Sequence, residues 1–122
     1  MNAADRKTIE KLLAFLPQFE SGEHPTTERD NFFMEFHDVA AHEFRSENYI
    51  EQIEKLGGWD CLKDLELIRR AGWDDLRAIL TALLRSERWC SYDYSGSVWR
   101  EYNNAGSFMA VLNRLAELEN GG

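Results

Sequence analysis

The chain has 122 residues, 43% hydrophobic and 12% aromatic, which suits one domain with a buried core and argues against disorder. Its net charge of −8 lacks the basic footprint that phosphates need, so direct binding to DNA or RNA is not expected. No apolar run approaches the roughly 18 residues that span a bilayer, and "MNAADRKTIE" turns polar at once, unlike an export signal. A cytoplasmic protein without membrane contact is therefore expected. Cys61 and Cys90 fit no metal-ligand spacing and read as reduced thiols.

The pattern is helical almost throughout and predicts a single all-α domain over 1–122, a compact bundle of about five or six helices. Ile9, Leu12, Leu13 and Leu16 follow helical spacing, with Asp5 placed to cap the start and Pro17 to end or kink the helix. "ESGEHPTTERD" is a polar loop. A second helix is expected from about Asp30, with Phe33, Phe36, Ala40 and Phe44 as its buried stripe. Asn48 and Glu51 have capping-box spacing, so a short helix should follow with Ile50, Ile53 and Leu56 inward and Gly57-Gly58 as its stop.

"GWDCLKDLELIRRA" and "GWDDLRAILTALLRS" align at a 14-residue spacing. Two such short units make no solenoid, and the alignment reads as helix punctuation. The strongest helix is expected over about Asp74 to Arg88, with Leu76, Leu80, Leu83 and Leu84 inward. A short turn of helix or strand around Val98 to Tyr102 comes next; its alternative is a two-stranded hairpin near 90–102. Ser107 should cap a final helix burying Phe108, Val111, Leu112, Leu115 and Leu118. The expected core is Phe33, Phe36, Phe44, Leu76, Leu80, Leu83, Leu112 and Leu115.

Charge is segregated along the chain. Residues 1–66 carry 15 acids against 7 bases, whereas residues 67–122 carry 7 of each. The excess concentrates in Glu20, Glu23, Glu28, Asp30, Glu35, Asp38, Glu43, Glu47, Glu51 and Glu54, among which only Arg29 and Arg45 are basic. One reading is a solvated helix face that keeps the protein soluble. The sharper reading is a field that resembles a phosphate backbone and binds a basic protein surface.

"LLRSERWCSYDYSG" crowds Arg85, Glu87, Arg88, Cys90 and Tyr92 together. On a wheel Glu87 aligns with Leu76, Leu80 and Leu84, so its carboxylate needs a partner, expected to be Arg114 or Arg88. This gives a structural ion-pair cluster. The alternative is a ligand site or small enzyme centred on the same residues. Catalysis by Cys90 would require a nearby base, and nothing in the sequence places His24, His37 or His42 beside it.

The segments "ILTALLRSERWCSYDYSG" and "NNAGSFMAVLNRLAEL" resemble the C-terminal part of a bacterial and phage family, domain of unknown function 6508. The matching positions are Arg85, Glu87, Arg88, Trp89, Cys90, Gly106, Arg114 and Leu115, with "FLPQFE" similar to the family's opening. Trp89 stands where the family has Phe, and a Gly expected soon after the cysteine is displaced to Gly96. The resemblance implies a compact, mostly helical domain and no assigned activity.

Glu35, Asp38 and His42 share a helix face at i, i+3, i+7, a spacing that suits a metal ion. No second cluster completes a shell, so a solvated face with an Asp38–His42 pair is expected, and no metal or cofactor. Trp59, Trp73, Trp89 and Trp99 lack an accompanying basic groove and read as core or interface side chains. The functional expectation is a non-enzymatic interaction domain of bacterial or phage type whose acidic face binds a basic, nucleic-acid-binding protein. An anti-CRISPR or anti-restriction inhibitor that mimics nucleic acid is one form of it. The competing class is a small enzyme or ligand-binding module centred on Arg85, Glu87, Arg88, Cys90 and Tyr92, and a third is a plain homo-oligomerising domain.

Overall fold

The computed structural model describes residues 3–21, 31–90 and 97–121, with side chains described for these residues other than 87–90 and 97. Among them are eight α-helices and one 3₁₀ turn, and no strand. In chain order the helices are α1 (Ala3–Leu13), α2 (Leu16–Ser21), α3 (Asn31–Glu43) and α4 (Tyr49–Lys55), then the 3₁₀ turn (Trp59–Lys63). They continue with α5 (Leu65–Arg70), α6 (Trp73–Cys90), α7 (Ser97–Ala105) and α8 (Ser107–Gly121). The fold is an all-α bundle.

Two helices organise it. The 18-residue α6 packs against α3, α4, α7, α8 and the 3₁₀ turn, while α8 also meets α1, α2, α5 and α7. Every element contributes to a single buried cluster. All eight residues expected in the core are at most 1% exposed.

The α3 stripe is buried as its period dictates: Phe33, Phe36, Ala40 and Phe44 face inward. Phe36 meets Phe15, Phe19 and Phe108 edge-on, at ring-centroid distances of 5.6, 5.0 and 6.1 Å. Edge-to-face arrangements let the positive rim of one ring meet the negative face of another. Pro17 interrupts the first helix as expected; it lies in the first turn of α2, where its missing N–H costs nothing. Helix α4 closes on a Schellman motif. Gly58 N–H reaches the Ile53 carbonyl at 2.8 Å and Gly57 N–H the Glu54 carbonyl at 3.2 Å, with φ of 91° and 107° at the two glycines.

Several local expectations are corrected. Asp5 lies within the first turn of α1, which starts at Ala3. Asn48 makes no side-chain cap; its Oδ1 instead accepts from Ser46 Oγ at 3.3 Å. Ile50 is 50% exposed, and Tyr49 takes the inward position, since neighbouring residues point about 100° apart. Ser107 does not cap α8: its buried hydroxyl donates to the Leu62 carbonyl at 2.5 Å, and the Gly106 carbonyl accepts from Ala110 N–H at 2.9 Å. The hairpin near 90–102 is replaced by helix at both ends, in Cys90 and in Ser97–Ala105, with residues 91–96 outside the described set.

Candidate functional site

Arg85 and Arg114, expected in one cluster, make separate contacts. Arg114 Nε donates to the Ala71 carbonyl at 2.9 Å and its Nη1 lies 3.0 Å from Glu117 Oε2. Ala71 is the C-cap of α5, two residues before α6, whereas residue 87 is on the last turn of α6, about 20 Å along an axis that rises roughly 1.5 Å per residue. Arg114 thereby ties α8 to the end of α5; the expected pairing of Glu87 with Arg114 or Arg88 falls on side chains outside the described residues. Arg85 is half-buried, its guanidinium 5.7 Å from the Tyr49 ring centroid on α4, in a cation–π contact. Arg85 and Arg114 thus serve opposite ends of α6. The side chains of Glu87, Arg88, Trp89 and Cys90, and all of Tyr92, lie outside the described set.

The acidic residues are distributed differently. Asn31, Glu35, Asp38 and His42 form the exposed stripe of α3, opposite its phenylalanines. Glu47, Glu51 and Glu54 are exposed on the α3–α4 connection and on α4, and Glu20 is exposed on α2. Glu23, Glu28 and Asp30 fall outside the described residues. Glu43 is committed to Lys11 of α1 at 2.7 Å. Among the described residues, no lysine or arginine pairs with Glu20, Glu35, Asp38, Glu47, Glu51 or Glu54. The cations that do pair meet other acids, as in Lys63–Glu101, Arg69–Glu66 and Arg114–Glu117.

Histidine and tryptophan roles are local. The expected Asp38–His42 side-chain pair does not form. His42 Nδ1 lies 2.7 Å from the Asp38 carbonyl, which can only accept, so Nδ1 carries the proton. The Asp38 carboxylate is 3.4 Å from His37 Nδ1 instead. No group of metal-ligating side chains is present among the described residues. Trp99 is buried against Phe33 and Trp73 is half-buried, edge-on to Phe44 at 5.0 Å, while Trp59 is 44% exposed.

A feature with no sequence signal is a polar cleft of about 800 Å³ between the end of α3, the α3–α4 connection, α4 and the start of α6. Arg45, Glu47, Asn48, Gln52, Asp74 and Arg77 line it, with His42 and Glu43 at its α3 side. Its walls are pinned together. Arg77 Nη2 donates to the Arg45 carbonyl, Ser46 N–H to Thr81 Oγ1 at 3.0 Å, and Gln52 Nε2 to Asp75 Oδ1 at 3.3 Å. Residues 41–48 and 74–77 meet only through tertiary packing, so periodicity along the chain carries no trace of the cleft.

No protein family, curated protein or solved structure matches the chain. No helix among the described residues is long and apolar enough to cross a membrane.

Proposed function

We propose that the exposed acidic surface of α3, the α3–α4 connection and α4 is a docking face for a basic protein, and that the domain acts by binding rather than by catalysis. The observation that supports this is the set of solvent-facing carboxylates, Glu35, Asp38, Glu47, Glu51 and Glu54, that no described lysine or arginine neutralises. Unneutralised charges on neighbouring elements add their fields, steer an oppositely charged partner and make association salt-sensitive. A partner whose basic surface ordinarily holds nucleic acid fits this reading, with the acidic face in place of the phosphates.

The test is capture of a nucleic-acid-binding partner from a bacterial lysate at low and high salt, by wild type and by a Glu35→Lys, Asp38→Lys, Glu51→Lys variant. The three sites are exposed, so the variant should keep the wild-type melting temperature and lose capture. Salt should abolish wild-type capture, and undiminished capture by the variant would refute the reading. Homo-oligomerisation is the second reading, supported by the exposed apolar side chains Ile50 and Trp59, at 50% and 44%. It requires a concentration-dependent sedimentation coefficient that Trp59→Ser removes.

A further inference from the structure

The cleft beside α6 has the properties of a ligand site, and it shares only Glu47 with the carboxylates of the docking face. Its volume of about 800 Å³ lies within the span of small-molecule pockets, commonly about 300–1,000 Å³. Hydrogen bonds from Arg77, Ser46 and Gln52 hold its walls in place, so a ligand would meet a largely ordered site. Within it stand charges of both signs without a partner among the described residues: the Arg45 guanidinium and the Glu47 and Asp74 carboxylates. Arg77 is half-buried and gives one donor to the Arg45 carbonyl. That leaves a partly desolvated cation whose remaining fork favours an incoming carboxylate.

The lining also excludes alternatives. Among the described residues no Phe, Tyr or Trp lines the cleft, so a nucleobase or sugar finds no large aromatic platform there. Glu47 and Asp74 repel a phosphate, and an apolar ligand would strand the charged groups. A ligand with one charge satisfies only half of the site. We propose that the cleft holds a small zwitterion of the α-amino-acid class, its carboxylate drawn to Arg45 and Arg77 and its ammonium to Glu47 and Asp74. Asn48 and Gln52 supply neutral donors and acceptors for the ligand's remaining polar groups.

The experiment is a titration of the isotopically labelled full chain with each common L-amino acid separately, followed by amide chemical shifts. At least one should give saturable shifts confined to residues 41–52 and 74–77, with a Kd below about 1 mM. Its N-acetyl derivative and its carboxamide should each bind at least about tenfold more weakly, because each removes one charge. Glu47→Gln and Arg45→Gln should each weaken binding by about tenfold at an unchanged melting temperature, since both side chains are exposed. The inference is overturned by the absence of any saturable shift, by shifts elsewhere, by derivatives that bind equally, or by variants that bind as wild type. None of these outcomes depends on partner capture by the α3–α4 face.

Discussion

The indole Nε1 of Trp99 donates a hydrogen bond to the Leu84 carbonyl at 2.9 Å, fastening α7 to the C-terminal half of α6. The same indole packs on Phe33, at 4.9 Å between ring centroids, and beside the His37 imidazole at 5.7 Å. One side chain therefore joins three helices. Trp99→Phe keeps most of the apolar contact and deletes the donor, so it should cost about 1 kcal/mol. Trp99→Ala also opens a cavity and should cost about 3–5 kcal/mol. Urea denaturation followed by circular dichroism reads both; equal losses would show that the hydrogen bond is irrelevant.

Arg114 makes two contacts of unequal value. The Ala71 carbonyl is in a buried residue and receives a charge-assisted bond, whereas the Glu117 carboxylate is 62% exposed. Arg114→Met should destabilise by about 2 kcal/mol, and Glu117→Gln by less than about 0.5 kcal/mol. Thermal melts of the two variants separate the contributions.

Gly106 joins α7 to α8 at a φ of 90°, a conformation that L side chains avoid. A methyl group added there would meet Leu65 Cδ1 at 3.6 Å, an ordinary contact, so the penalty is conformational. Gly106→Ala should lower stability by about 1–2 kcal/mol. Denaturant midpoints at unchanged m-value are the measurement.

Burial pushes the Cys61 thiol up from 9.0 to about 11, with the charges of Asp64, Asp60 and Asp75 adding to the shift. The unfolded chain releases this proton first, so it binds fewer protons than the native state between pH 9 and about 11. Cys61 therefore subtracts stability as pH rises through that window and has no such effect below it. Wild type minus Cys61→Ala stability, measured from pH 8 to 11, should decline. In a Cys90→Ser background the native protein should resist iodoacetamide at pH 8 and react once unfolded.

The sequence made the apolar skeleton legible because burial follows period. Phe33, Phe36 and Phe44, or Leu76, Leu80 and Leu83, declare their faces without knowledge of neighbours. The polar roles were less legible, since a hydroxyl or amide with a local partner within reach also has distant ones. Asn48 and Ser107 both hold cap-like positions, yet one receives Ser46 and the other reaches Leu62. A wheel gives the angle of a side chain and not its height. This is why the sequence could not show that Arg114 reaches the Ala71 carbonyl at the α5–α6 junction. The acidic excess was plain from composition, but its exposed and unpaired members could be separated from Glu43 only once Lys11 was located.

The packing of α8 on α1 and α2 sets the order of events during synthesis. Helices α1 and α2, carrying Ile9, Leu12 and Phe19, leave the ribosome before α8, which supplies part of their apolar cover around Phe108 and Leu115. Such closure between distant segments raises contact order and delays the final collapse. Until α8 has emerged, those side chains are covered only in part, Phe19 by Phe32 and Phe36 of α3, and the nascent chain must stay in solution. The strong negative charge of its first half helps it do so without aggregating.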